Sequence, residues 1–261
     1  MPRIRLDQLL VQRGLAGSRA AAQAMLMAGE VELAGAGSRT LKAGQLVGAD
    51  ADVRVLARPR WASRAGDKLV AALDAFAIDP TGLACLDAGA STGGFTDVLL
   101  ARGARLVYAV DVGRGQLLDR LRRDPQVVSM ERTNLRELEI LPEPIDLATL
   151  DLSFISLRLV LPVVCELLTP GGRVVALVKP QFEAGREAVP RGGVVRDPAV
   201  HAAVLRQFGQ DATAAGLSPR ALNRSPLAGT DGNVEFLALL DRDGAADPAT
   251  WDAMVDAQAK P

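Results

Sequence analysis

Residues 86–95 read Leu-Asp-Ala-Gly-Ala-Ser-Thr-Gly-Gly-Phe: an apolar run ends in an acid, Asp87, and a glycine-rich turn follows. A helix-like stretch, Phe95–Ala101, comes next. Glycines in such a turn let a ligand approach the backbone, and a helix N-terminus points its free N–H groups at that ligand. The spacing Gly89-x-x-x-Gly93-Gly94 is not the Gly-x-Gly-x-x-Gly of dinucleotide binders. A second apolar run, Leu106–Val110, ends in Asp111, well placed for the two hydroxyls of a ribose. An ordinary tight strand-to-helix turn shares this composition; Asp111 and the lysines below favour a nucleoside site. Asn134, after the third strand, is a candidate adenine contact or simply a loop asparagine.

Four more charged residues stand at strand ends or beside the glycine-rich turn, and two of them, Asp151 and Lys179, fall with Asp87 and Asp111 at carboxyl ends, where an open sheet binds ligands. Asp151 closes the run Asp146–Leu150, and Lys179 follows five apolar residues, Val174–Val178. Glu235 opens the last apolar run, and Lys68 lies in Arg-Ala-Gly-Asp-Lys-Leu ahead of the first strand. A lysine there is costly to bury without a partner, and Asp151 and Glu235 are available as partners. A surface ion pair is a reasonable alternative for Lys68 alone and a poor one for Lys179.

These residues need a scaffold, and its rhythm is visible. Strand signals at 83–87, 105–110, 127–129, 145–150 and 173–178 alternate with helical stretches at 66–77, 94–102, 115–122, 157–168 and 198–215. Two late strands, 219–224 and 234–240, make an antiparallel edge pair. The alternation predicts an α/β fold with a seven-stranded, mainly parallel sheet. Residues 4–56 form a separate small unit. Leu6, Leu9, Leu10 and Val11 give one helical stripe, and Ser18 caps a second helix through Met27. Short strands follow at Val31–Leu33 and Val53–Leu56. The expected layout is a unit over 1–57, a linker over 58–63, a main domain over 64–242 and a tail over 243–261, helical near Trp251–Ala257 or loose. His201 and Trp251 read as packing residues.

Composition narrows the class. The net charge of −1 advertises no global nucleic-acid field. Residues 1–60, however, hold nine Lys/Arg against five Asp/Glu, while the remainder holds 21 against 26. One histidine and two scattered cysteines, Cys85 and Cys165, offer no metal cluster, and the thiols read as reduced core residues of a cytoplasmic protein. The longest uncharged run is Ala20–Gly29, about half of the roughly 20 apolar residues a membrane helix needs.

The stretch RLDQLLVQRGLAGSRAAAQAMLMAGEVELAG resembles the S4 RNA-binding domain, with Ala34 where that family usually has Asn. The resemblance implies a small α+β S4 domain with Arg13, Arg19 and Arg39 as phosphate contacts. The acid, glycine-rich turn, strand and second acid resemble S-adenosylmethionine-dependent methyltransferases. Together with Lys68, Asp151, Lys179 and Glu235 they resemble the FtsJ-like ribose 2′-O-methyltransferases. From about residue 3 to 241 the chain resembles the TlyA family of rRNA 2′-O-methyltransferases, historically called hemolysins. The specific pieces are Ser63–Leu69, Asp87–Phe95, Asp151–Ser156, Val178–Glu183 and Arg191–Pro198, with Ala65 where the family commonly has Gly.

This resemblance implies a Rossmann-like domain binding S-adenosyl-L-methionine through Asp87, Gly89, Ser91, Gly93, Gly94, Phe95, Asp111 and Asn134. It implies a catalytic tetrad of Lys68, Asp151, Lys179 and Glu235 with Lys179 as base, no metal, and rRNA in ribosomal subunits as partner, with cytidine in 16S or 23S rRNA as target. A lysine amine works as a base only once its pKa has dropped from about 10, which burial and a second ammonium bring about. Three other readings compete: a non-catalytic RNA-binding or ribosome-assembly factor, a hemolysin-like membrane-active protein, and a pseudouridylating enzyme. The tetrad, the lack of apolar spans and the second domain's pattern respectively weigh against them.

Overall fold

The computed structural model describes residues 3–27, 31–34, 41–55, 60–185, 187–229 and 232–260. The chain divides into two units, Met1–Arg60 and Trp61–Pro261, each with its own core. In the first, β1 (Arg3–Arg5) leads into α1 (Leu6–Gln12), followed by α2 (Arg19–Met27), β2 (Val31–Leu33), β3 (Leu46–Gly48) and β4 (Val53–Val55). β1 pairs antiparallel with β3, and β2 with β4. Leu6, Leu9 and Leu10 on one helix face meet Ala22 and Leu26 across it, with Val31, Val47 and Val53 closing the core. β1 and β3 are absent from the sequence pattern because three residues are too few to display an alternation.

Asp7 is fully buried in this unit. Its carboxylate takes two bonds from the Arg5 guanidinium (3.0 and 2.9 Å), one from Arg19 (2.9 Å) and one from Gln23 (3.0 Å). These donors, Arg5 first, hold the Asp7 carboxyl well below the usual carboxylate range.

The second unit holds α3 (Ala65–Ala75), β5 (Ala84–Ala88), α4 (Gly94–Ala101), β6 (Leu106–Asp111), α5 (Asp119–Arg122), β7 (Val127–Glu131), β8 (Ile145–Leu150), α6 (Leu161–Leu167), β9 (Leu168–Val178), α7 (Pro180–Glu183), α8 (Pro198–Ala214), β10 (Ser218–Arg224), β11 (Phe236–Asp241) and α9 (Pro248–Gln258). The seven strands order as β7-β6-β5-β8-β9-β11-β10. Pairing is parallel from β7 to β9, and β11 and β10 join antiparallel. Side chains alternate between two faces, as strand geometry requires. Leu86, Tyr108, Ala148, Val174 and Phe236 pack on Leu161, Val164, Leu205, Phe208 and Trp251. Cys85, Val107, Leu147, Val175 and Leu237 pack on Leu69, Leu73, Val98 and Leu99. The result is a three-layer sandwich with helices on both faces of the sheet.

Three boundaries differ from the expected ones. The linker placed at 58–63 ends before Trp61, which is buried among α3 and α4 residues and bonds Asp67 through its indole N–H (3.1 Å). Gly66 lies against that indole; an added Cβ would come within 2.6 Å of the Trp61 Cβ. The tail placed at 243–261 contains α9, which Asp247 caps and which buries Trp251 and Val255 in the main core. The helix expected over 115–122 shrinks to Asp119–Arg122, and the N–H groups of Gly115, Gln116 and Leu117 in the loop before it bond the Glu131 carboxylate.

Asp7 generates a prediction. Its folded pKa lies below the unfolded value of 3.8, so its contribution to stability is complete at neutral pH and is lost as pH falls below about 4. Hydrogen exchange across residues 6–27 should accelerate in Asp7→Ala at pH 7, and the difference from wild type should shrink as the pH approaches 3. Equal exchange in the two proteins at pH 7 would contradict the assignment.

Candidate active site

The chain runs from β5 outward to β6 and β7, then returns to β8 on the other side of β5. This reversal opens a crevice at the carboxyl ends of β5 and β8, where open sheets of this type bind ligands. Asp151, just past β8, donates its backbone N–H to Ala88 at the end of β5 (3.0 Å). Gly89 (φ +86°) passes so close that a Cβ would sit 2.5 Å from the Asp151 carbonyl oxygen. Gly93 (φ +97°) starts α4, with the Leu117 and Leu121 side chains in the space a Cβ would take. At Gly94 that space belongs to Ser63. The glycines of the turn, expected to make room for a ligand, thus also make room for the protein itself.

Asp87 is fully buried. Its Oδ2 accepts from the Thr96 backbone N–H (2.8 Å) and hydroxyl (2.6 Å), while its Oδ1 has no hydrogen-bond partner among the described residues. Burial pushes this carboxyl up to about 7, against the Thr96 donors, which favour the ionised form. Asp87, Gly89, Ser91, Gly94 and Phe95 line one recess together with Asp151 and Lys179. Asp111 accepts from the backbone N–H of Ser91 (2.9 Å) and of Gly113 (2.6 Å), and lines an adjoining recess with Asn134, Val112 and Gln116. Two lone-pair positions remain on that carboxylate. Asn134 caps a turn at Leu135–Glu137: its Oδ1 accepts from the Arg136 N–H and its Nδ2 donates to Glu137 (2.7 Å).

Lys68, Asp151, Lys179 and Glu235 line a single cleft of about 690 Å³. They meet as two pairs. Lys179 Nζ lies 2.7 Å from Asp151 Oδ1 and donates to the Ser153 hydroxyl (3.0 Å). Lys68 Nζ lies 2.5 Å from Glu235 Oε2. The register explains the grouping. Phe236 pairs with Val178, so Glu235 and Lys179 occupy the next position on neighbouring strands. Both lysines are less than a tenth exposed.

Several residues at this cleft escaped single-residue reading of the sequence, although most lie in the motif stretches 151–156 and 178–183. Phe154 is 91 % exposed, has φ +64°, and lines both the tetrad cleft and the Asp111 recess. Its ring lies 5.0 Å from that of Phe182, and Lys179 Nζ sits 5.9 Å from the Phe182 ring centre. Gln181 lines the cleft, and its amide oxygen is buried without a partner among the described residues. Glu183 accepts from Ser156 and from the Leu157 N–H, and burial pushes its carboxyl upward.

Two of the arginines expected to meet phosphate also hold the small unit's own fold. Arg13 donates to the carbonyls of Ala49 (2.7 Å) and Ala51 (2.6 Å), and Arg19 pairs with Asp7. Arg39 lies outside the described residues. His201 bonds the Val195 carbonyl (3.0 Å) and packs edge-on against Phe236. Among the described residues no group of three or more His, Cys, Asp or Glu is placed to hold a metal ion, and no helix is long and apolar enough to cross a membrane.

Comparison with known proteins agrees with this geometry. The profile of a family described as FtsJ-like methyltransferase matches residues 61–242, beginning at the residue where the second unit begins. A Bacillus subtilis protein, YqxC, which carries the provisional name rRNA methyltransferase, is 48% identical over 237 residues, 89% of this chain and 84% of its own. The 16S/23S rRNA (cytidine-2′-O)-methyltransferase TlyA of Mycobacterium tuberculosis is 46% identical over 245 residues, 91% of this chain and 90% of its own. A solved structure from Streptococcus thermophilus, provisionally named a hemolysin, is 41% identical with a TM-score of 0.74, covering 98% of this chain and 96% of its own.

The residues present fit S-adenosylmethionine. Asp87 Oδ1 is an acceptor without a donor beside the turn, and an ammonium supplies one. In the free protein the raised Asp87 pKa lies above the unfolded 3.8, so stability falls as pH rises from about 4 to about 7. A cationic ligand favours the ionised form. Calorimetry should therefore show S-adenosylmethionine binding about tenfold tighter at pH 8 than at pH 6, with Asp87→Asn abolishing most of that difference. A pH-independent affinity in wild type would refute the coupling.

Proposed function

The chain belongs to the FtsJ-like methyltransferase family, and we propose that it transfers a methyl group from S-adenosylmethionine to a ribose 2′-hydroxyl of rRNA, at a cytidine of the 16S or 23S molecule, in the cytoplasm. The observation that carries this reading is the buried Lys179–Asp151 pair, sharing one cleft with Lys68–Glu235 and opening onto the Asp87–Asp111 crevice. The name of the Mycobacterium tuberculosis relative supports the choice of rRNA and cytidine.

Asp87 and Asp111 would hold S-adenosylmethionine at the glycine-rich turn, where it would supply a methyl already activated on a sulfonium for transfer to the ribose 2′-oxygen. The hydroxyl proton passes to the Lys179 amine, which must arrive unprotonated. Asp151 and Ser153 hold Nζ from two sides, and Asp151 stabilises the ammonium that forms. Glu235 holds Lys68 as the second cation of the cleft. Phe154 offers an exposed ring at the mouth, a stacking face for an unpaired base. In-line alignment of oxygen, methyl and sulfur contributes much of the rate. Residues 1–60 hold the net positive charge and are assigned to RNA capture, an affinity that falls with added salt.

The test is methyl transfer from labelled S-adenosylmethionine to rRNA isolated from cells lacking this gene, followed by mapping of ribose methylation. A 2′-O-methyl cytidine that appears only with the protein is the expected result; lysis of erythrocytes without transfer would overturn the reading. Lys179→Arg keeps the charge but accepts no proton near neutral pH, so single-turnover rates should fall by about 10²-fold or more while cofactor and RNA binding persist. Near-normal turnover would remove Lys179 from the role of base.

A further inference from the structure

Lys179 and Phe154 reach the cleft from two different strand ends, and the loops that carry them are fastened along their length. Lys179 is the N-cap of α7, and Phe154 lies in the exit loop of β8. Lys179 Nζ meets Asp151 and Ser153. One turn later, Phe182 packs on Phe154. At the far end of α7, Glu183 accepts from the Ser156 hydroxyl (2.6 Å) and from the Leu157 N–H (2.9 Å). The contacts run in step: 179, 182 and 183 on one loop against 151–153, 154 and 156–157 on the other.

We propose that Glu183 is a positioning residue for methyl transfer, the outer fastening that holds the β8 exit loop, and with it Phe154, against α7. The inference rests on the methyltransferase reading given above. Phe154 adopts a left-handed backbone (φ +64°) with its side chain in solvent. A bulky residue in that region costs of order 1–3 kcal/mol and stays there only when its surroundings over-determine it. On the N-terminal side the loop is tied by the Asp151 N–H to Ala88 and by Lys179. On the C-terminal side Glu183 supplies the two bonds that tie Ser156 and Leu157. Glu183 itself stands beside the tetrad cleft and does not line it. Without it the loop can relax toward ordinary backbone angles, which turns Phe154 from the cleft. Glutamine fills the same volume: its carbonyl serves the Leu157 N–H, and its amide donates to a Ser156 hydroxyl turned to accept.

Full-length wild type, Glu183→Ala, Glu183→Gln, Ser156→Ala, Phe154→Ala and the Glu183→Ala/Phe154→Ala double variant separate this role from simple destabilisation. In Glu183→Ala, hydrogen exchange should accelerate across 152–159 but not across 84–101. Its single-turnover rate on saturating rRNA should fall roughly tenfold, the scale of sub-ångström misplacement. Glu183→Gln should recover most of that rate, and Ser156→Ala should lose part of it. The double variant should be no slower than Phe154→Ala alone, since both changes act through one element. Unchanged exchange across 152–159, or a Glu183→Ala loss that adds in full to that of Phe154→Ala, would overturn the proposal. If wild type methylates no rRNA, the substrate reading fails, and the exchange measurement still decides whether Glu183 fastens the loop.

Discussion

Asp151 meets three neighbours with three different atoms. Its backbone N–H bonds Ala88 at the end of β5, its carbonyl lies against Gly89, and its carboxylate holds Lys179. The glycine-rich turn and the charged cleft are therefore fixed to one residue. At Gly89 any side chain collides with that carbonyl, and the backbone sits at φ +86°. The reversal of strand order between β5 and β8 creates this crossing, so fold topology and site geometry follow from one event.

Burial then sets the terms for the charges. Each buried ion costs several kcal/mol of lost hydration, and removing one partner of a pair leaves the other uncompensated. Lys68 and Lys179 meet this constraint through carboxylates delivered from other elements: Glu235 just before β11 and Asp151 just after β8. α3 brings Lys68 to the same place, and the β9–β11 register brings Glu235 beside Lys179. Asp87 follows the opposite course. It is buried with one oxygen unserved, and in the free protein its carboxyl is held near neutrality rather than paired. Both lysines of the crevice are thus paired, while Asp87 Oδ1 has no partner among the described residues.

In the small N-terminal unit, Arg13 and Arg19, which the S4 resemblance offers as phosphate contacts, also serve the unit's own fold: Arg13 follows α1 and Arg19 opens α2. In the fold they close the unit's own hydrogen bonds, to Ala49, Ala51 and Asp7. At 115–122 a distant carboxylate, Glu131, bonds the N–H groups of the loop that leads into the short helix. Neither engagement can be read from the chain. Composition records which groups are present, and only tertiary contact records which are already engaged.

The sequence by itself determined the alternation of strands and helices, the acids at strand ends, the glycine-rich turn and the four charged residues of the cleft. Those features are local: apolar runs end where charge begins, and a turn needs its glycines within a few residues. Tertiary structure decided the rest. It paired Lys179 with Asp151 and Lys68 with Glu235, left Asp87 Oδ1 without a donor, turned Phe154 outward, and fastened its loop through Glu183. It also drew Trp61 and α9 into the main core, away from the linker and the tail. Each of these rests on groups from separate strands or helices meeting at one point, and strand order, register and crossing, which set that meeting, leave no periodic trace in the chain.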